Sequence, residues 1–129
     1  MQLEGFGLFV DDMAAMIRFY RDVMGFSISE QEDTKNVYLI KDGVLFLLYS
    51  KKDFEKMTGH PFEYVHGLNG HFEIAMKVPN FARVDAEFDR VCANGAKPVM
   101  YPCTMLWGQR TCYVADPEGN LIEIGSFQP

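Results

Sequence analysis

Apolar positions along this chain switch between a strand period and a helix period, and the switch occurs twice in the same order. Leu3 to Val10 is apolar enough for a strand. Asp11 or Asp12 then stands as a cap before Met13, Met16, Ile17, Tyr20, Val23 and Met24, which recur at helical spacing. Gly25 stands where a helix C-cap is expected. Phe26 to Gln31 and Val37 to Ile40 read as strands, and Asp42-Gly43 is a hairpin signal between Val37–Lys41 and Val44–Ser50. Lys51 to Gly70 breaks the pattern with Gly59, Pro61, Gly67 and Gly70, and reads as a connector with one helical turn around Phe54 to Met57. The order then resumes. His71 to Val78 is a strand, and Asn80 caps a helix with apolar Phe81, Val84, Phe88, Val91 and Cys92 that ends near Gly95. Val99 to Leu106, Gln109 to Ala115 and Asn120 to Phe127 are three more strands, with Pro117-Glu118-Gly119 as the last turn.

The two halves also match in letters. VYLIKDGVLFLLYS (37–50) aligns with YVADPEGNLIEIGS (113–126) when Gly43 is set on Gly119, which puts Leu47 on Glu123. GFGLFVDD and EIAMKVPN echo each other likewise, with Gly5 falling on Glu73. A period of about 70 residues, present in two copies, indicates paired modules rather than a solenoid. Module one is expected over 1–50, the connector over 51–70 and module two over 71–129, within a single domain. Alternation within the second copy puts Phe72, Ile74, Met76 and Val78 on one strand face and His71, Glu73, Ala75 and Lys77 on the other. In the last strand Ile122 and Ile124 oppose Leu121, Glu123 and Gly125. Glu73 and Glu123 therefore both stand opposite a helix-packed face, which is either plain solvent-facing sheet or the wall of a cavity.

Composition narrows the classes. A 129-residue chain that is 48% hydrophobic supports one buried core. A net charge of −6 argues against non-specific nucleic-acid binding, which needs a basic face. The longest apolar run, Val44 to Tyr49, is too short to cross a membrane, and MQLEG lacks the basic-then-apolar order of a signal peptide. Cys92, Cys103 and Cys112 form no CxxC and read as reduced thiols, which fits a cytoplasmic protein.

A βαβββ module written twice and ending in D-P-x-G-N-x-I-E resembles the vicinal oxygen chelate superfamily of glyoxalase I, bleomycin-resistance proteins, fosfomycin-resistance enzymes and extradiol dioxygenases. The residues that carry the resemblance are Val10 to Phe26, the EIAMKV strand, and WGQRTCYVADPEGNLIEI (Trp107 to Ile124). The resemblance implies an α+β fold in which two βαβββ modules curve their sheets into a half-barrel around a ligand cavity. It also implies metal-ligand positions in the first and last strand of each module, which fall here on Gly5, Leu47, Glu73 and Glu123. Gly5 and Leu47 carry no donor atom, and none of the four is a histidine. Two carboxylates are a poor zinc, nickel or iron site, and at most a weak Mg²⁺ or Ca²⁺ site with waters. No cofactor is therefore expected.

Without that metal, the isomerisation, epoxide opening and ring cleavage of the related enzymes lack their Lewis acid. The sequence then favours a metal-independent binder that sequesters a cationic or planar small molecule. The alternative is a lyase, isomerase or dioxygenase-like enzyme with a non-standard site. The expected ligand contacts are Glu73 and Glu123 for a cation, Trp107 for stacking, Arg110 for an anion or as counter-ion to the glutamates, and Phe9 on the first-module side. Trp107 has an equal claim to be a packed indole at a module or dimer interface. Gly5 and Gly7 leave room for a ligand or for a bulky neighbour. Exposed sheet edges point to a homodimer.

Overall fold

Two parallel strand pairs anchor the protein, one in each half of the chain. The structure is a computed structural model and describes residues 1–129. It divides into two compact units, Met1–Tyr64 and Val65–Pro129, in an α+β fold with two sheets and three α-helices. No helix is long and apolar enough to cross a membrane.

In the first unit, β1 (Gly5–Val10), β2 (Asn36–Lys41) and β3 (Val44–Ser50) form a sheet of order β1-β3-β2, with β1 parallel to β3 and β2 antiparallel to it. Asp12 caps α1 (Met13–Arg18) by accepting the Ala15 amide at 2.9 Å. The helix continues through a wider π-type turn over Phe19–Val23. The helical apolar stripe is the buried one: Met16, Ile17, Tyr20 and Val23 all face the core, where the Tyr20 ring meets Phe26 and Phe46 at 5.4 and 5.0 Å. Burying each such side chain stabilises by roughly 1.5–3 kcal/mol. After β3, Ser50 caps α2 (Lys51–Thr58), which ends at Gly59 in the left-handed conformation. The connector thus holds two helical turns where one was expected.

The strand expected over Phe26–Gln31 does not form, so the first module is βαββ and its sheet has three strands. Phe26 and Ile28 do point into the core, as the alternation required. The segment makes no ladder, however. Its one bond to the neighbouring edge is through a side chain, the Glu30 carboxylate accepting the Tyr38 amide at 2.8 Å. A side chain here satisfies the edge donor that a strand carbonyl would otherwise take.

The second unit is the complete βαβββ module. β4 (Asn69–Lys77), β5 (Lys97–Thr104), β6 (Arg110–Ala115) and β7 (Asn120–Ser126) form a sheet of order β4-β7-β6-β5. Asn80 caps α3 (Phe81–Ala93) by accepting the Arg83 amide at 3.0 Å, and Val84, Phe88 and Val91 are its buried stripe. The facing strand residues Cys112, Val114, Ile122 and Ile124 are fully or almost fully buried.

The registers of the two parallel pairs coincide with the letter alignment. Gly5 and Gly7 sit beside Leu45 and Leu47, while Glu73 and Ala75 sit beside Leu121 and Glu123. Leu47 is thus the structural counterpart of Glu123, and Gly5 of Glu73. The DPEGN motif builds the β6–β7 turn. Asp116, fully buried, accepts the amides of Glu118 and Asn120 at 2.9 and 3.0 Å, and its other oxygen accepts the Asn120 side-chain amide at 2.8 Å. Gly119 completes the turn at φ +88°, a value that excludes most side chains.

Candidate functional site

The open face of the second sheet carries the acidic residues. On β7, Glu123 lies between Ala75 of β4 and Tyr113 of β6, and Glu73 lies beside Leu121. Strand alternation points these residues away from α3. Arg110, Cys112 and Val114 have the opposite parity on β6.

Glu123 is held by two donors. Its Oε1 accepts the Thr111 hydroxyl at 2.8 Å and the Gln109 side-chain amide at 3.0 Å. Thr111 is itself buried. The Gln109 oxygen in turn accepts the Trp107 indole N–H at 2.9 Å. Gly125 makes the arrangement possible, because a Cβ there would stand 2.7 Å from Gln109 Nε2. Tyr113 shares the face. Burial pushes its phenol above the ordinary range, and a hydrogen bond with Glu73 and the charges of Glu123 and Glu73 act in the same direction. The phenol is accordingly a neutral hydrogen-bonding group at physiological pH. Beside Glu123 an open depression of about 220 Å³ is lined by Ala75, Lys77, Gln109, Gly125 and Phe127, among others. Glu73 and Tyr113 are on the same sheet face but outside that depression.

The other expected contacts fall elsewhere. Arg110 binds Asp85 of α3, with Nε at 2.8 Å and a terminal nitrogen at 2.7 Å, and reaches Thr104 at 3.2 Å. It sits on the helix side of β6 and pairs with neither Glu73 nor Glu123. The sequence offered no sign of this, since Asp85 becomes its neighbour only through the packing of α3. Phe9 belongs to the first unit, where its ring stacks on Phe54 at 4.2 Å, and Phe54 stacks on Phe62 at 5.2 Å. Trp107 is 62% exposed at the β5–β6 turn, so its indole is not packed within its own unit. Gly5 and Gly7 accommodate bulky neighbours: a Cβ on Gly5 would overlap the Leu45 carbonyl, and one on Gly7 would stand 3.0 Å from Leu47 Cβ. His71 lies within the segment between Asn69 and Glu73 where the β4–β7 register shifts, and its backbone amide donates to the Asn69 side-chain oxygen at 3.0 Å.

Sequence reading passed over Tyr113, Thr111 and Gln109. Tyr113 was findable, because the turn around Pro117-Glu118 pairs 113 with 123 by counting outward. Gln109 opens the strand expected over Gln109–Ala115, whose alternation puts it on the face of Thr111 and Tyr113, although the observed strand begins one residue later.

Residues 2–124 match the family profile of the Glyoxalase/Bleomycin resistance protein/Dioxygenase superfamily. The chain belongs to that superfamily. Solved members have the same fold. A glyoxalase/bleomycin resistance protein/dioxygenase family enzyme from Burkholderia phytofirmans superposes with a TM-score of 0.82 at 23% identity, covering 97% of this chain and 98% of that one. A glyoxalase-related enzyme from Fulvimarina pelagi gives 0.81 at 22% identity over 97% and 87%. A lactoylglutathione lyase from Agrobacterium tumefaciens gives 0.72 at 26% identity over 96% and 92%. No protein of curated function matches the chain.

The metal that the superfamily implies does not fit the residues present. No group of three or more His, Cys, Asp or Glu side chains is placed to hold a metal ion. At the Gly5 position any side chain would displace the Leu45 backbone, and Glu123 already spends one oxygen on two donors. Superfamily membership therefore supplies the scaffold here without its usual ligand set.

Proposed function

We propose that this chain is a metal-independent small-molecule-binding protein that takes a planar, cationic ligand on the open face of its second sheet. The observation that carries this reading is the donor set on that face. Glu73 and Glu123 flank a neutral Tyr113 hydroxyl, and an exposed indole, Trp107, is tied to Glu123 through one amide. Carboxylates there complement a cation, and an exposed aromatic ring complements a flat one. Arg110, the group best suited to an anion, is committed to Asp85.

The test uses benzamidine, which is both planar and cationic, against benzoate, which is planar and anionic. Benzamidine should raise the melting temperature of the wild-type chain and benzoate should not. Glu73→Gln and Glu123→Gln should each remove the benzamidine effect while the unliganded protein still melts cooperatively. Stabilisation by benzoate alone would sink the proposal, as would variants that keep the benzamidine effect. A second reading, a lyase or isomerase, draws on the Agrobacterium lactoylglutathione lyase. It gains ground if added Ni²⁺ or Zn²⁺ stabilises the protein and confers turnover of a hemithioacetal. Finally, Tyr38 and Ile40 on edge strand β2 are 60% and 62% exposed, which supports a homodimer. Light scattering at micromolar concentration reads the mass directly.

A further inference from the structure

We infer that Gln109 is a positioning residue that latches the Trp107 side chain to the Glu123 carboxylate, so that a group engaging Glu123 also resets the indole. The first half of that statement stands by itself. The second rests on the reading of this face as a ligand site.

The latch follows from the chemistry of the three side chains. An indole N–H can only donate, and an ionised carboxylate can only accept. A single side chain bridging them needs an acceptor at one end and a donor at the other. A glutamine amide supplies both, at 2.9 Å to Trp107 Nε1 and 3.0 Å to Glu123 Oε1. Glutamate in its place would lose the donor, and lysine would lose the acceptor. The backbone beneath is set by two bonds of the hairpin, Met105 N–H to the Gln109 carbonyl at 2.7 Å and Gly108 N–H to the Met105 carbonyl at 2.9 Å. Gly125 leaves room for the side chain as it lies, since a Cβ there would stand 2.7 Å from Gln109 Nε2 and 3.3 Å from Thr111 Oγ1. Trp107 is 62% exposed, so packing alone does little to hold its ring and the hydrogen bond to Gln109 is its main restraint. Breaking that bond should free the ring without disturbing the core.

Trp107 is the only tryptophan, so its fluorescence reports this one position. Gln109→Met keeps the length of the side chain and removes both polar ends. Gly125→Ala leaves Gln109 intact and pushes its amide aside. Both should lower the anisotropy of Trp107 and raise its quenching by acrylamide, with the melting temperature little changed. Thr111→Val removes the other donor to Glu123 but not the indole bond, and should leave Trp107 at the wild-type values. The latch is overturned if Gln109→Met and Gly125→Ala both leave anisotropy and quenching unchanged, or if Thr111→Val changes them as much as Gln109→Met does. Should Gln109→Met fail to fold, Gly125→Ala decides. Should neither fold, the amide is a structural part of the hairpin and the inference falls. For the coupling, saturating benzamidine, at the concentration that thermal melts set for each protein, should shift Trp107 anisotropy in the wild type and shift it less in Gln109→Met. Binding in the melts with no Trp107 response in the wild type overturns the coupling. No benzamidine binding at all overturns the ligand reading and the coupling with it, and the ligand-free comparison still decides the latch.

Discussion

Three thiols show how far one residue type diverges with its surroundings. Cys103 is exposed, Cys92 is half-buried and Cys112 is fully buried between β6 and α3. Burial pushes the Cys112 thiol up from its ordinary 9.0 to about 12, and burial also raises Cys92. A thiol-specific chromogenic reagent should therefore modify Cys103 first, Cys92 more slowly, and Cys112 only on unfolding. The same shift has a consequence for stability. Below pH 9.0 the Cys112 thiol is neutral in the folded and the unfolded chain, so its contribution is fully present. Above that value the unfolded thiol ionises first, and the contribution is lost as pH rises toward about 12. Tyr113, raised mainly by burial, acts with the same sign. Urea midpoints should fall as pH rises from about 8 to about 11, and Cys112→Ala should flatten that slope. From sequence the three cysteines looked alike, because burial is a property of what packs against them.

At the scale of elements, caps and turns carried the most legible information. Asp12 and Asn80 cap the helices they were expected to cap, and each does so through a side-chain oxygen on the third residue on. Asn80→Ala should cost about 1 kcal/mol in chemical unfolding, since it removes the side-chain cap of α3, which packs on the second sheet. Asp116 is the more demanding position. Its buried carboxylate gathers two backbone amides and one side-chain amide at the β6–β7 turn, and Asp116→Ala strands all three. A loss of about 3 kcal/mol is expected, read as a shift in the urea midpoint at unchanged slope. The strand expected over Phe26–Gln31 marks the limit of such reading. Its alternation was real, and Phe26 and Ile28 are buried. Alternation fixes which side chains face the core but not whether a partner strand presents its hydrogen bonds, and the Glu30 carboxylate took that role instead.

For the whole molecule, the duplication ties fold to chemistry. The two parallel pairs share one register, so the first unit offers Gly5 and Leu47 at the places where the second offers Glu73 and Glu123. Protein purified without chelator should contain no stoichiometric zinc, nickel or iron by elemental analysis, and a chelator should leave its melting temperature unchanged. Tight metal that stabilises the fold would refute the metal-independent reading. The order of the other strands and of the capped helices, the hairpin signals and the register of the repeat were legible in the sequence, because period and turn chemistry are local and the repeat supplied an internal alignment. The partners of individual polar groups were not. Arg110 turned to Asp85 and not to the glutamates, and Glu123 found Gln109 and Thr111. Such pairings depend on where α3 and the β5–β6 turn bring side chains across a few ångströms, and that distance exists only once the second sheet has paired and its helix has packed upon it.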